Sequence, residues 1–296
     1  MLNTPFSPWP SFTQEEADVV QAVLLSNRVN YWTGSQGREF EREFAEAVGC
    51  EYAIAVSNGT VALELALHGL GIGPGDEVIV TSRTFLASAS CIVAVGATPV
   101  FADVDRNSQN ITPATVAGLI TPATRAIIAV HLAGWPCDME GLLALSRNGI
   151  YVIEDCAQAH GARFQGQSVG TIGQVGCWSF CQDKIMTTGG EGGMVTTNDP
   201  ELWRRMWSYK DHGKSLRAVY HQQHPPGFRW LHDSLGTNFR LTEMQAAIGR
   251  VQLQRLPEWT AARQYNATRI WEAASACPGL RVPVVPDSHV HAAYKC

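Results

Sequence analysis

The chain has 296 residues, which is enough for a sizeable buried core and long for a single domain. Hydrophobic residues make up 45 % and charged residues 17 %, as in ordinary globular enzymes, and the formal net charge of −5 argues against a general nucleic-acid binder. No apolar run approaches the ~18–20 residues of a membrane span. The first five residues lack the basic and apolar regions of a signal peptide, so we expect a cytoplasmic protein with no membrane partner.

The eight cysteines raise the alternatives of disulfides or a metal site. Cys177 and Cys181 are four residues apart, but no further cysteine or histidine pair completes the spacing of a zinc site. Four other cysteines are scattered among apolar segments, at positions 50, 91, 137 and 156. We therefore expect reduced, buried thiols and no metal.

Two helices are predicted at the start of the chain. Thr13-Gln14-Glu15-Glu16 has the pattern of a capping box and begins a helix that extends to about Leu25. Phe40, Phe44 and Val48 then repeat at helical spacing, which predicts a second helix that ends at Gly49.

From residue 52 onwards, short apolar runs alternate with helical segments. Strands are predicted at 53–56, 77–80, 98–101, 126–130 and 150–153, and helices at 60–70, 84–95, 113–120 and 139–147. Strands that are apolar throughout are covered on both faces, as in parallel sheets. The alternation therefore predicts an α/β fold with a mostly parallel sheet flanked by helices.

The remaining third of the chain has a different texture. Strands at 175–178 and 194–197 are followed by a helix at 200–207, a long polar loop at 210–237, and two long helices at 241–256 and 259–274. The last run, 280–296, resembles the start of a strand. We expect residues 1–240 to form a large domain, and residues 241–296 to form a helical linker and the beginning of a small C-terminal domain that the chain leaves incomplete.

Candidate ligand-binding residues follow the predicted strands, because open α/β sheets bind ligands at the carboxyl ends of their strands. After the first strand come Ser57, Asn58, Gly59 and Thr60 and then a helix, whose free N–H groups and dipole favour an anion. The alternative for this segment is a simple helix cap. Phe85 follows the second strand, where it would either stack on a flat ring or belong to the core.

Asp155 follows the strand at 150–153, and a carboxylate there would stabilise a protonated ring nitrogen. The alternative for Asp155 is again a helix cap. Gln158 would bond a substituent of the ring. His160 would be either a partner of these groups or a core histidine, and we favour the core.

Ser179 and Lys184 precede a glycine cluster at 189–193. An ammonium group is costly to desolvate, but an amine in a partly dry site, near other cations or dipoles, loses its proton more easily and attacks aldehydes. An exposed turn lysine is the alternative. Taken together, the candidates describe a site for pyridoxal 5′-phosphate (PLP). Gly59, Thr60 and Ser179 would bind its phosphate, Phe85 and Asp155 its ring, and Lys184 would form the Schiff base.

Three motifs in this order resemble the DegT/DnrJ/EryC1/StrS aminotransferases, which are PLP enzymes of fold type I. They are residues 57–63, residues 154–161, and Ser179-Phe180-x3-Lys184 with the glycine cluster. The resemblance extends from about Phe6 to the end of the chain, although the family usually continues for several dozen residues more. It implies transfer of an amino group from L-glutamate to a keto-sugar linked to a nucleotide.

The resemblance also implies individual roles. Lys184 would carry the cofactor and move a proton between the substrate carbon and C4′ of the cofactor, and Gln158 would lie near the ring hydroxyl. Residues 236–240 resemble a motif whose asparagine reaches the phosphate of the neighbouring subunit. This implies a homodimer with shared sites, in which Asn238 acts across the interface. Substrate contacts are expected from the loops at 30–37 and 210–230.

Three alternatives to this function remain. A cyclitol aminotransferase of the same family is not distinguished by sequence. A deoxysugar dehydratase of this family typically has histidine at the position of Lys184, so the lysine counts against it. A non-catalytic α/β protein that binds PLP or a nucleotide is the alternative from another class.

Overall fold

The structure is a computed structural model that describes residues 9–146, 149–227 and 229–296, so the N-terminal residues considered for a signal peptide lie outside the described part. Two helices come first, α1 (Gln14–Leu25) and α2 (Gln36–Val48). At the start of α1 the Glu16 carboxylate accepts the Thr13 backbone N–H at 2.9 Å, which confirms the capping box. Gly49 ends α2 with a φ of 79°, a left-handed conformation that favours glycine.

Strands and helices then alternate from residue 52 to residue 155 as the sequence predicts. The strands are β1 (Tyr52–Val56), β2 (Glu77–Thr81), β3 (Thr98–Ala102), β4 (Thr124–Val130), β5 (Tyr151–Asp155), β6 (Arg163–Phe164), β7 (Gln167–Ser168), β8 (Val175–Ser179), β9 (Gly193–Thr197) and β10 (His289–Val290). The helices are α3 (Gly59–Gly69), α4 (Ala87–Ala94), α5 (Pro113–Ala117), α6 (Met139–Leu145), α7 (Pro200–Lys210), α8 (Leu216–Tyr220) and α9 (Glu243–Ser275). Of these elements, β6, β7 and α8 were not predicted.

Seven strands form the main sheet in the order β1-β9-β8-β5-β4-β2-β3. The neighbours from β8 to β3 are parallel, whereas β9 is antiparallel to both β8 and β1. Because both β1 and β8 are antiparallel to β9, β1 has the same direction as β8 and the other parallel strands. The carboxyl ends of β1, β2, β3, β4, β5 and β8 therefore lie at one edge, and the predicted α/β fold with a mostly parallel sheet is confirmed.

Alternate residues of each strand pack into layers on opposite faces of the sheet. In β2, Val78 and Val80 belong to the apolar cluster under α3, α4 and α7, whereas Ile79 belongs to the cluster under α5 and α6. Phe40 and Phe44 of α2 are fully buried against the sheet beside α9. This double coverage explains why the strands are apolar throughout.

The structure corrects two predictions near the C-terminus. The helices predicted at 241–256 and 259–274 form the single helix α9, with Pro257 inside it. Residues on both sides of Pro257, Leu253 and Thr260, are buried, so packing outweighs the one hydrogen bond that a proline removes. The strand predicted from residue 280 is wrong, because only His289–Val290 has strand geometry there.

Smaller differences concern the ends of elements. The predicted loop at 210–237 contains the short helix α8, and α6 ends at Leu145, while residues 147 and 148 lie outside the described part. The boundary at 240/241 stays a prediction. In the described part of the chain, no helix combines the length and apolar character needed to cross a membrane.

One buried carboxylate connects helix α9 to the first turn of helix α2. Glu243, in the first turn of α9, is fully buried and accepts the N–H groups of Gln36 at 2.6 Å and Gly37 at 3.0 Å. These N–H groups belong to the first turn of α2, where they have no acceptor within the helix. The negative charge also complements the positive end of the dipole of α2.

We predict that Glu243→Ala lowers the free energy of unfolding by about 2–4 kcal/mol, because two buried N–H groups lose their acceptor. Urea unfolding followed by circular dichroism measures this change. Glu258→Ala, on the exposed side of the same helix, is the matched control and should change stability by less than about 0.5 kcal/mol. Equal effects of the two substitutions would contradict the capping role.

Candidate functional site

A cavity of about 560 Å³ lies where the carboxyl ends of the strands meet. Seven of the residues that the sequence singled out line it, namely Gly59, Thr60, Phe85, Asp155, Gln158, Ser179 and Lys184. Asp155 and Ser179 end β5 and β8, and the other five lie in the segments that follow β1, β2, β5 and β8. The structure therefore brings together residues that are up to 125 positions apart in the sequence (184 − 59).

The first turn of α3 forms one wall of the cavity. Asn58 caps this helix, since its Oδ1 accepts the Val61 N–H at 3.0 Å. Within the described part of the chain, this leaves the N–H groups of Gly59 and Thr60, which have no acceptor inside the helix, available to an anion. The helix cap that the sequence offered as one alternative is therefore present at Asn58, and the anion site beside it stays a prediction.

Close contacts between backbones bring Ser179 to the same wall. A Cβ atom on Gly59 would lie 2.7 Å from Cβ of Ser179, and one on Gly193 would lie 2.4 Å from the carbonyl oxygen of Asn58. Neither position has room for a side chain. The end of β8, the start of β9 and the start of α3 can approach this closely only because glycine occupies both positions.

Asp155, at the end of β5, is a buried carboxylate with two neutral hydrogen-bond donors. Its Oδ2 accepts the Ser88 hydroxyl at 2.7 Å, and its Oδ1 accepts the Ala157 N–H at 3.1 Å. No helix follows β5 directly, so the helix-cap alternative is wrong. Among the described residues no cation forms an ion pair with Asp155, although a buried charge is strongly stabilised by one. The cavity therefore offers a place for a positively charged group.

Phe85 and Gln158 present different surfaces to the cavity. The side chain of Phe85 is 70 % exposed, so the alternative of a core phenylalanine is wrong. The Gln158 Oε1 accepts the Ala133 N–H at 2.7 Å, which leaves the side-chain amide N–H groups of Gln158 for a ligand. The two residues supply a flat apolar surface and a directed donor.

Lys184 is the one lysine of the cavity. The sequence has four lysines, Lys184, Lys210, Lys214 and Lys295, and all lie in the described part of the chain. Only Lys184 lines the cavity. Its side chain is 13 % exposed, so the partly dry environment is as the sequence predicts and the alternative of an exposed turn lysine is wrong. Its backbone carbonyl accepts the indole N–H of Trp9 at 3.0 Å.

The sequence predicted other cations or dipoles beside the Lys184 amine, but its neighbours are a carboxylate and an aromatic ring. Nζ lies 3.6 Å from Oδ2 of Asp183 and 5.2 Å from the centroid of the Tyr294 ring. The Tyr294 hydroxyl in turn donates to Oδ2 of Asp183 at 2.5 Å. A carboxylate and an aromatic face both attract an ammonium group, and Tyr294 comes from a segment more than one hundred residues away, which explains why sequence reasoning missed it.

Burial and the hydrogen bond between Tyr294 and Asp183 determine the charges of these two residues. Burial raises the pKa of the Tyr294 hydroxyl, and the bond to Asp183 raises it further. Burial also raises the pKa of Asp183, but the Tyr294 hydrogen bond and the Lys184 charge together outweigh burial, so the pKa is lowered below its usual value. At neutral pH Tyr294 is therefore a neutral donor and Asp183 an anion beside the Lys184 amine.

A second buried carboxylate, Glu154, was missed by the sequence analysis. Nδ1 of His131 accepts the Cys137 N–H at 3.0 Å, so the proton on Nε2 is donated to Oε2 of Glu154, also at 3.0 Å. Glu154 further accepts the N–H groups of residues 170, 172 and 173 at 2.8, 2.8 and 2.6 Å. A buried glutamate in an apolar strand was the available signal, since such a group requires partners.

Glu154, His131 and Cys156 lie close enough together to suggest a metal site. However, both nitrogens of His131 and both oxygens of Glu154 are engaged in the hydrogen bonds just described. The cluster instead fixes the turn after β4, which positions Gln158 through Ala133.

Asn238 does not line the cavity. It is exposed, in a segment that runs beside the end of β1, where the Ser57 N–H donates to the Phe239 carbonyl at 2.9 Å. Arg240 anchors this segment through an ion pair of 2.6 Å with the fully buried Asp211. The segment is thus next to the first turn of α3 without reaching into the cavity of its own chain.

The cysteines are all described and all free. Four of them are buried as expected, Cys50 and Cys181 are partly buried, and Cys277 and Cys296 are exposed. His160 is a core histidine, as favoured. It is fully buried between Trp178 and Phe180, and neither ring nitrogen has a partner among the described residues. Burial, with smaller effects of the Lys184 and Arg263 charges, lowers its pKa to about 3.

This shift predicts a pH dependence of stability. Between the unfolded pKa of about 6.5 and the folded pKa of about 3, the unfolded chain binds a proton that the folded chain excludes. Stability therefore falls as the pH drops through this window. His160→Phe removes that contribution, so its loss of stability between pH 7.5 and 5.5 should be smaller than that of the unsubstituted protein by about 1.4 kcal/mol.

Urea unfolding at the two pH values measures the difference. His221→Phe, at an exposed position, should leave the pH dependence unchanged. If His160→Phe also leaves it unchanged, the histidine does take up a proton in the folded state, contrary to its burial.

Comparison with known proteins agrees with the family that the motifs resemble. The model of the DegT/DnrJ/EryC1/StrS aminotransferase family matches residues 10–296. The chain is 44 % identical over 260 residues to UDP-N-acetyl-3-dehydro-alpha-D-glucosamine 3-aminotransferase of Acidithiobacillus ferrooxidans, covering 87 % of this chain and 67 % of that protein. It is also 44 % identical over 260 residues to GDP-perosamine synthase of Escherichia coli O157:H7, covering 86 % and 67 %.

Comparison with solved structures also identifies an aminotransferase fold. The solved structure of an aminotransferase from Psychrobacter cryohalolentis is 62 % identical, with a TM-score of 0.96, and the match covers 98 % of this chain and 76 % of that one. The chain thus spans about two thirds of the length of the two curated relatives. The chain belongs to the DegT/DnrJ/EryC1/StrS aminotransferase family.

Proposed function

We propose that this chain is a PLP-dependent aminotransferase that moves an amino group from L-glutamate to a nucleotide-linked keto-sugar. The family is one of PLP-dependent aminotransferases, and the two curated relatives are named for a UDP-linked sugar and a GDP-linked product. The observation that carries the proposal is that Lys184, the single lysine of the cavity, shares it with the buried Asp155.

The residues of the cavity fit PLP at both ends of that molecule. The phosphate would be held by the N–H groups of Gly59 and Thr60 and by the hydroxyl of Ser179, at a wall where a Cβ on Gly59 has no room. The protonated ring nitrogen would pair with Asp155, which has no cationic partner among the described residues. Phe85 would stack on the ring, and Gln158 would donate to the ring hydroxyl.

Bound PLP supplies an aldehyde that condenses with amines and a ring that draws electrons from the bonds of the adjacent carbon. The protein supplies the rest. Lys184 holds the cofactor and moves a proton at the substrate carbon, with Asp183 and Tyr294 keeping its amine at the cavity wall. Asp155 maintains the positive charge of the ring, which is what makes the ring an electron acceptor.

Asn238 belongs to a homodimer in this proposal. Its segment lies beside the phosphate wall (Gly59, Thr60 and Ser179) of its own chain but outside the cavity. A second copy would bring its own Asn238 to that wall, so each site would be completed by the partner. The substrate loops at 30–37 and 210–230 and a cytoplasmic location belong to the same proposal.

The first experiment follows the visible absorption band of the PLP-loaded protein. L-glutamate should bleach the band, and one of the UDP-, dTDP- or GDP-linked keto-sugars should restore it, which also identifies the nucleotide. Lys184→Ala should give no such band with PLP, because no amine of the cavity remains.

Lys295→Ala is the matched control, since its ammonium also lies over the Tyr294 ring, at 5.2 Å, but outside the cavity lining. This variant should keep the band. A band that persists in Lys184→Ala would refute the lysine assignment, and a band that L-glutamate does not bleach would refute the transfer reaction with that donor.

The phosphate wall gives a further prediction. Gly59→Ala places a Cβ 2.7 Å from Cβ of Ser179, so the wall must open and PLP should bind at least about tenfold more weakly. Equilibrium titration of the apo-protein with PLP measures the change. Gly118→Ala, where a Cβ meets no atom within 4 Å, should bind as tightly as the unsubstituted protein; equal affinities for both variants would place the phosphate elsewhere.

A further inference from the structure

Two hydroxyl groups form a directed chain of hydrogen bonds that ends on Asp155. Ser88, in the first turn of α4, is 1 % exposed and its Oγ donates to Oδ2 of Asp155 at 2.7 Å. Oγ1 of Thr84 lies 2.8 Å from Oγ of Ser88. Ser88 has a single hydroxyl proton, and an ionised carboxylate can only accept. Thr84 is therefore the donor to Ser88, and the protons point from Thr84 through Ser88 to Asp155.

This chain fixes the orientation of the carboxylate. Oδ2 is held by Ser88 and Oδ1 by the Ala157 N–H at 3.1 Å. With one donor on each oxygen, rotation of the carboxylate would break two hydrogen bonds. The same donors stabilise its negative charge, and a chain of aligned hydroxyls strengthens each bond by polarisation.

The Thr84–Ser88–Asp155 hydrogen bonds lie at the cavity, so packing alone does not explain them. Thr84, Phe85 and Ser88 all line the cavity, and they belong to one segment that leads from β2 into α4. Phe85 offers its ring there, 70 % exposed. One short segment thus provides both the surface for the face of a flat ring and the support for the group at its nitrogen.

We propose that Ser88, with Thr84 behind it, is a positioning residue that holds Asp155 in the orientation and charge state needed to keep a proton on the ring nitrogen of PLP. The inference rests on the proposed function, because it requires Asp155 to be the partner of that nitrogen. Ser88 acts through Asp155, so its loss should weaken the ring protonation without removing the site.

The test is the nuclear magnetic resonance signal of PLP labelled with ¹⁵N in the ring, recorded on the loaded protein, together with PLP affinity. In Ser88→Ala the Oδ2 atom loses its donor. The ring-nitrogen signal should move toward that of unprotonated pyridine, and PLP should bind roughly tenfold more weakly, as expected for loss of a hydrogen bond to a charged group. Ser88→Thr keeps the hydroxyl and should restore both properties.

Two further variants separate this role from a structural one. Ser90→Ala makes the same change on the same helix at an exposed position and should match the unsubstituted protein. Thr84→Val removes only the outer hydroxyl and should give a smaller shift in the same direction. If Ser88→Ala does not fold, Thr84→Val still tests the hydrogen-bond chain, because it changes only the outer residue.

Two results would overturn the inference. One is a Ser88→Ala protein whose ring-nitrogen signal equals that of Ser90→Ala, even if affinity falls, since this would show a packing role only. The other is an Asp155→Asn protein in which the ring stays protonated. That second result would remove Asp155 from the nitrogen altogether and so marks a failure of the proposed site, whereas a failure confined to Ser88 leaves the proposed site intact.

Discussion

A buried carboxylate without a cationic partner in the described chain is the interaction on which the site depends. Asp155 ends the β5 strand in the interior of the sheet, where its charge is costly, and it receives only two neutral donors. Asp155 keeps unused acceptor capacity, and it lines the cavity. A ligand with a protonated ring nitrogen would supply a positive charge there, and in the proposed function the other cavity residues bind the rest of that ligand.

The reversal of β9 determines which residues can meet Asp155. A simple alternation of strands and helices would make β9 parallel to its neighbours. Parallel neighbours need a long crossover connection, so a tight segment could not then join β8 to β9. The antiparallel β9 instead follows a tight segment that contains Lys184 and the glycine cluster, and its pairing with β1 brings Gly193 against Asn58. The positions of Lys184 and of the wall formed by Gly59, Thr60 and Ser179 thus both depend on β9.

The sequence predicted those parts of the fold and the site that depend on local pattern. Apolar runs and helix caps located the elements of the sheet, and strand ends located seven of the cavity residues. It failed where distant packing decides, as at Pro257, which α9 tolerates because Leu253 before it and Thr260 after it are buried. It also could not place Tyr294 beside Lys184, or Ser88 beside Asp155, because no local pattern records a contact made across the sheet.

Two adjacent acidic residues show why composition alone does not identify a functional carboxylate. Glu154 and Asp155 are consecutive in β5, so their side chains point to opposite sides of the sheet. Glu154 is saturated by His131 and three backbone N–H groups, and it fixes the turn that holds Gln158. Asp155 is left with unused acceptor capacity in a cavity. A carboxylate whose hydrogen bonds are complete stabilises the protein, whereas one that is buried but incompletely paired is available to a ligand.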